Sequence, residues 1–169
     1  MSDVIVNKVA ESGLVSLDLQ DFLPAEGDLA VLDLKDFLFM GLILKEKDFR
    51  TALQSYDWTT FTGRKVAVFC SADAIIPAWA YMLVATYLEP IAALVFLGDP
   101  VALRKQLLLE AIAALPAAEY ADKRVVVKGC GDAEVPPDAY LAITLKLRPV
   151  AKSIMYGEPC STVPVFKRK

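Results

Sequence analysis

A mostly parallel α/β fold is what this sequence predicts, and three observations predict it. Short β-branched runs alternate with helix-length apolar segments, a forty-residue stretch recurs 59 positions later, and prolines bracket the helical segment in both copies.

The recurrence aligns residues 61–100 with 120–159 without a gap and leaves twelve identities, from Val66 and Val68 against Val125 and Val127 to Gly98 and Pro100 against Gly157 and Pro159. This pattern predicts an internal duplication of one β-α-β unit. In each copy a run such as "KVAVF" or "RVVVK" reads as a buried strand and leads into a polar turn. A helix follows, entered through Pro77 or Pro136 and stopped before Pro90 or Pro149, because the residue ahead of a proline is pushed out of the helical region. A second apolar run, "ALVFL" or "KSIMY", ends the unit before glycine, an acidic residue and proline. The predicted core faces are Tyr81, Val84, Ala85 and Leu88 in the first helix and Tyr140, Ile143, Thr144 and Leu147 in the second.

Two plain helices complete the pattern, "LKEKDFRTALQSYD" before the first copy and "PVALRKQLLLEAIAALP" between the copies. Upstream, "LDLQDFL" at 17–23 recurs as "LDLKDFL" at 32–38 across "PAEGD". The expectation there is a hairpin or two adjoining strands, a β-hairpin-like N-terminal extension of a single domain covering 1–169.

Apolar residues make up 56% of the 169, and "AIIPAWAYMLVATYLEPIAALVFLG" at 74–98 is long enough to span a bilayer. Its repeat mate, "AEVPPDAYLAITLKLRPVAKSIMYG", carries Asp138, Lys146, Arg148 and Lys152, which oppose insertion, so both are read as protein core and no membrane is expected. The excess apolar surface on the first helix, Trp79, Met82, Leu83 and Thr86, is either covered by the N-terminal segment or marks a homodimer or protein-partner surface through Trp79, Met82 and Leu83.

With 18 Lys and Arg against 21 Asp and Glu and no histidine, the net charge is −3. The one basic cluster, Lys167, Arg168 and Lys169, reads as a solvated tail rather than a phosphate-binding surface, and no nucleic acid is expected. The opening "MSDVIVNK" has no secretory pattern, and three cysteines 60 and 30 residues apart give no disulfide framework, so a reducing cytoplasmic location is expected.

Parallel strands deliver their C-terminal turns to one edge, the usual ligand side of open α/β sheets. On that rule Cys70, Cys130 and Cys160 gather on a common rim with Asp73 and Asp132. Three thiolates with a carboxylate suit a soft metal ion or an iron–sulfur cluster. Alternatively Cys130, between glycines and ahead of a helix, is a single activated nucleophile leaning on Lys128 or Lys152. A third reading treats the cysteines as small packed hydrophobes, with Asp73 and Asp132 tying down turns. "GCG" lacks the third glycine of a dinucleotide fingerprint.

The stretches "FMGLILKEKDFR", "CSADAIIPAWAYML", "VVVKGC" and "AKSIMYGEPCSTVP" together resemble a bacterial family catalogued as domain of unknown function 2480, over nearly the whole chain. All three cysteines fall inside these stretches. The resemblance implies no established activity; it implies an association with iron–sulfur assembly genes, which favours the accessory, cluster-binding expectation.

Overall fold

The structure, a computed structural model, describes residues 13–129 and 131–169. It is a mixed α/β protein whose parallel strands form two sheets rather than one. The chain divides into two compact units, one comprising residues 1–23 and 105–169 and the other residues 24–104.

The unit of residues 24–104 holds β2 (Leu29–Asp33), β3 (Lys65–Phe69) and β4 (Leu94–Leu97) in a wholly parallel sheet, order β2-β3-β4. In β3 the centre, Val66, Ala67 and Val68, is buried on both faces, as expected of a central parallel strand built from small and β-branched residues. Helices α1 (Glu46–Ser55) and α2 (Ala78–Leu88) supply the core over one face. Phe49 and Leu53 of α1 meet Ala80, Val84 and Leu88 of α2 on Leu32, Val66 and Val68.

The other unit holds β1 (Leu14–Asp18), β5 (Arg124–Lys128), β6 (Ser153–Glu158) and β7 (Ser161–Lys167), order β1-β5-β6-β7, parallel except for β7. Helix α3 (Pro100–Ala114) carries the chain into this unit, and α4 (Pro137–Leu147) crosses from β5 to β6. Asp99 starts α3 by accepting from the Ala102 N–H at 2.8 Å. Leu108 and Ile112 of α3, with Ala139, Ile143 and Leu147 of α4, close over Val125, Val127 and Ile154.

The internal geometry of the units repeats 59 positions apart. Gly63 N–H to Ile91 C=O at 2.8 Å matches Asp122 N–H to Val150 C=O at 3.0 Å, and both residues hold positive φ, 69° and 55°. Helix rows Ala80, Val84, Leu88 and Ala139, Ile143, Leu147 also correspond. The buried row is rotated from the expected faces: Ala85 is exposed, and Tyr81 and Tyr140 lie half-buried at the margin, where a phenol can keep its hydroxyl near polar groups.

The expected N-terminal hairpin does not form. β1 pairs with β5 and β2 with β3, each in parallel, so the two "LDLxDFL" copies serve different sheets. Antiparallel pairing of β1 with β2 would leave each β-α-β unit with only its own two parallel strands. The shared motif instead ends each strand in an aspartate, Asp18 or Asp33, that caps a 3-10 turn by accepting from the N–H of Gln20 or Lys35 at 3.0 Å. The leucine after it, Leu19 or Leu34, is fully buried.

The C-terminal "STVPVFK" is also not a tail. It is β7, antiparallel to β6, with a bulge near Ile154 and Met155, and Arg168 continues the contact through its N–H to Lys152 C=O at 2.9 Å. Pro164 is tolerated because β7 is an edge strand whose outer side needs no donor.

Candidate functional site

Cys70 and Cys160 do not share a sheet. Cys70 ends β3 in the unit of residues 24–104, half-buried on that unit's core, with its thiol 3.7 Å from Ala72 C=O. Cys160 stands exposed in the turn between β6 and β7 of the other unit. Cys130, two positions beyond β5, lies outside the described residues. The single rim therefore rested on one sheet where the chain builds two. Asp73 and Asp132 are exposed, and no group of three or more cysteine, aspartate or glutamate side chains is placed to hold a metal ion among the described residues.

What the sheet edges hold instead is polar clamping. Beyond β2, Asp33 accepts from Ser71 twice, from its N–H at 3.0 Å and its hydroxyl at 2.6 Å, and from the Lys35 N–H. Burial opposes its ionisation, but the Ser71 hydroxyl and the two N–H donors outweigh it and hold the carboxyl below its usual range. Beyond β1, the Lys128 ammonium lies 3.5 Å from Asp18 and 3.9 Å from Glu158, and the Gln20 amide donates to Ala133 C=O at 2.7 Å. The glycines of "GCG" fit this edge for steric reasons. A Cβ at Gly129 would run into the Tyr140 hydroxyl, and one at Gly131 into the Gln20 amide.

Two of the exposed apolar features among the described residues combine several side chains. In the unit of residues 1–23 and 105–169, α4 and the β6–β7 hairpin border a groove of about 370 Å³ lined by Tyr140, Thr144, Met155, Tyr156 and Val165, among others. On β6, β7 and α4, Tyr156, Val163, Val165, Leu141 and Leu145 are exposed apolar side chains.

In the unit of residues 24–104, Phe39, Met40, Leu42 and Ile43 form an exposed turn, with Met40 80% and Leu42 65% exposed. The turn is braced: Phe39 N–H donates to Ile43 C=O at 2.7 Å, and Phe39 C=O accepts from Leu42 and Ile43 at 3.1 and 3.2 Å. Met40 and Gly41 both take positive φ, 52° and 70°, as a primed two-residue turn requires. A left-handed methionine costs about 1–2 kcal/mol, which a glycine at that position would avoid. Sequence reasoning passed over this turn because "FMGLIL" reads as an apolar run; the glycine at its third position was the available signal.

The helix surface first expected to meet a partner is largely occupied from within. Trp79 packs edge-on against Phe49, ring centres 6.0 Å apart, beneath the Arg50 guanidinium at 5.7 Å, and Leu83 joins the same core, whereas Met82 stays exposed. No helix among the described residues is long and apolar enough to cross a membrane.

No curated protein and no solved structure matches the chain. A family described as protein of unknown function (DUF2480) matches residues 3–168, nearly the full length. On that match the chain belongs to the DUF2480 family, and its parallel α/β units with their clamped sheet edges describe a member of it.

Proposed function

We propose that this protein is a non-catalytic interaction protein that pairs with a second copy of itself, the apolar turn at 39–43 of one copy entering the α4–β7 groove of the other. The observation that carries the reading is the braced turn. Its backbone accepts strain at Met40 in order to hold large apolar side chains in water, an arrangement that gains free energy only when another body covers them. Asp36, Glu46 and Asp48 are matched by Lys35, Lys45 and Lys47 around the turn, and with no net positive charge there an anionic lipid surface gains no electrostatic advantage as the cover. One five-residue turn in one groove makes a small interface, and the affinity expected is about micromolar.

Sedimentation equilibrium across the micromolar range tests this. The wild-type chain is expected to approach twice its monomer mass, and Met40→Lys or Met40→Gly to remain monomeric. Met40→Gly should keep its thermal stability, since relief of the left-handed strain offsets the added freedom of the unfolded chain. A wild-type monomer at the highest concentration, or a Met40→Lys dimer, removes the reading.

A second reading keeps a metal. β5 and β6 are hydrogen-bonded parallel neighbours, and Cys130 and Cys160 follow them in the chain, with Glu158 at the same strand end. Two thiols with Glu158 or Asp132 suit one soft ion better than a four-cysteine cluster, and Cys70 would take no part. Elemental analysis after anaerobic isolation is expected to give about one zinc or copper per chain, lost in Cys160→Ser; metal-free wild-type protein that also fails to take up either ion rules it out.

A further inference from the structure

We infer that the N-terminal end of β5 and β6, closed by the last residues of β7, is a binding site for a small phosphorylated ligand. The ladder places Arg124 beside Ser153 and Ser153 beside Lys167, so the three side chains share one face on adjacent strands. With strands about 4.8 Å apart, the two cations flank the serine from positions about 10 Å apart, a span that one phosphate group bridges. Lys152 adds a third positive charge, and together these residues line a cavity of about 400 Å³ whose apolar wall includes Met155 and Pro164.

Three features set this cavity apart from an ordinary charged surface. Ser153 is the one buried polar residue among those described, 8% exposed, and its hydroxyl makes no hydrogen bond among the described residues. Arg124, Lys152 and Lys167 form no ion pair among the described residues, although the chain as a whole is acidic. Asp122, two positions before Arg124 in the chain, is engaged by Arg168 at 2.8 Å. Three cations around a serine hydroxyl repel one another, and an oxyanion relieves that repulsion while giving the hydroxyl an acceptor in place of water. The volume falls within the range of small-molecule sites and exceeds what phosphate alone fills, so the ligand is a phosphate monoester whose organic part rests on Met155 and Pro164.

The full chain is titrated with inorganic phosphate and with glycerol 3-phosphate at constant ionic strength, following thermal stability and amide NMR shifts. Saturable stabilisation is expected from both, tighter for the ester, with shifts centred on residues 124, 152–155 and 164–167. Lys167→Gln and Arg124→Gln should each weaken binding about tenfold, and Ser153→Ala less. Lys152→Gln, at an exposed position, serves as the variant least able to disturb folding and should weaken binding as well. A response no larger than that to sodium chloride, or one unchanged in Lys152→Gln and Lys167→Gln, overturns the inference. So does binding confined to an oligonucleotide with a steep salt dependence and no saturable response to phosphate.

Discussion

Phe49→Ala is expected to destabilise the unit of residues 24–104 by about 3–5 kcal/mol, the largest single effect anticipated for this chain. Phe49 is fully buried, meets the Phe37 ring edge-on at 5.5 Å and Trp79 at 6.0 Å, and joins α1 to α2 over β2 and β3. Truncation removes the transfer free energy of a phenyl ring and leaves a cavity between two aromatic neighbours that can only partly collapse. Both tryptophans, Trp58 and Trp79, lie in this unit and pack against its core, so urea unfolding followed by tryptophan fluorescence reports on it directly. A loss below about 1 kcal/mol would show that Phe37 and Trp79 move into the space and that the core is not close-packed. The residue 59 positions later, Leu108, is equally buried in the other unit, and Leu108→Ala should cost about 2–5 kcal/mol there.

How much of this could be read from residue order depends on how local each signal is. "KVAVF" and "RVVVK" announce buried strands by composition alone, and the bracketing prolines fix α2 and α4 to within a residue or two of their observed ends. Strand pairing is not local. β1 and β2 carry nearly the same seven residues, so nothing in either copy says that one joins β5, more than a hundred positions away, and the other β3. The common rim of three thiols assumed one sheet, whereas the motif seeds two and Cys70 and Cys160 follow strands of different ones. β7 escaped detection because Pro164 weakens a strand reading, and only the ladder shows that the proline sits on an outer edge. With β7 hidden, Lys167 read as a solvated tail, although it stands opposite Ser153. The turn at 39–43 was illegible for the opposite reason: hydrophobicity predicts burial, and here a left-handed methionine holds it in solvent.

In the unit of residues 1–23 and 105–169, Gly157→Ala should be strongly damaging, because it acts on backbone rather than on side chains. Gly157 holds φ at +118°, a conformation L-residues avoid, and a Cβ there would lie 2.5 Å from the Ser161 carbonyl oxygen across the β6–β7 hairpin. Neither the left-handed strain nor the backbone collision can be relieved by a rotamer change, and the two together cost about 3 kcal/mol or more. Gly98, 59 positions earlier, offers the comparison. Its φ is +155°, but the added Cβ would meet the Phe96 ring, a side chain able to swing away, and no strand follows to be displaced. Gly98→Ala should therefore cost clearly less. Hydrogen exchange distinguishes the outcomes by region: in Gly157→Ala the amides of β7 and of Arg168 lose protection, while those of β1 and β5 keep theirs. Because β7 carries Lys167 to Ser153 and Val165 to the groove, the same glycine should abolish both phosphate-dependent stabilisation and self-association, with the parallel core left standing. Equal protection of β7 in Gly157→Ala and wild type would mean that the hairpin absorbs a side chain at its tightest point, and that β7 is held by contacts other than its ladder to β6.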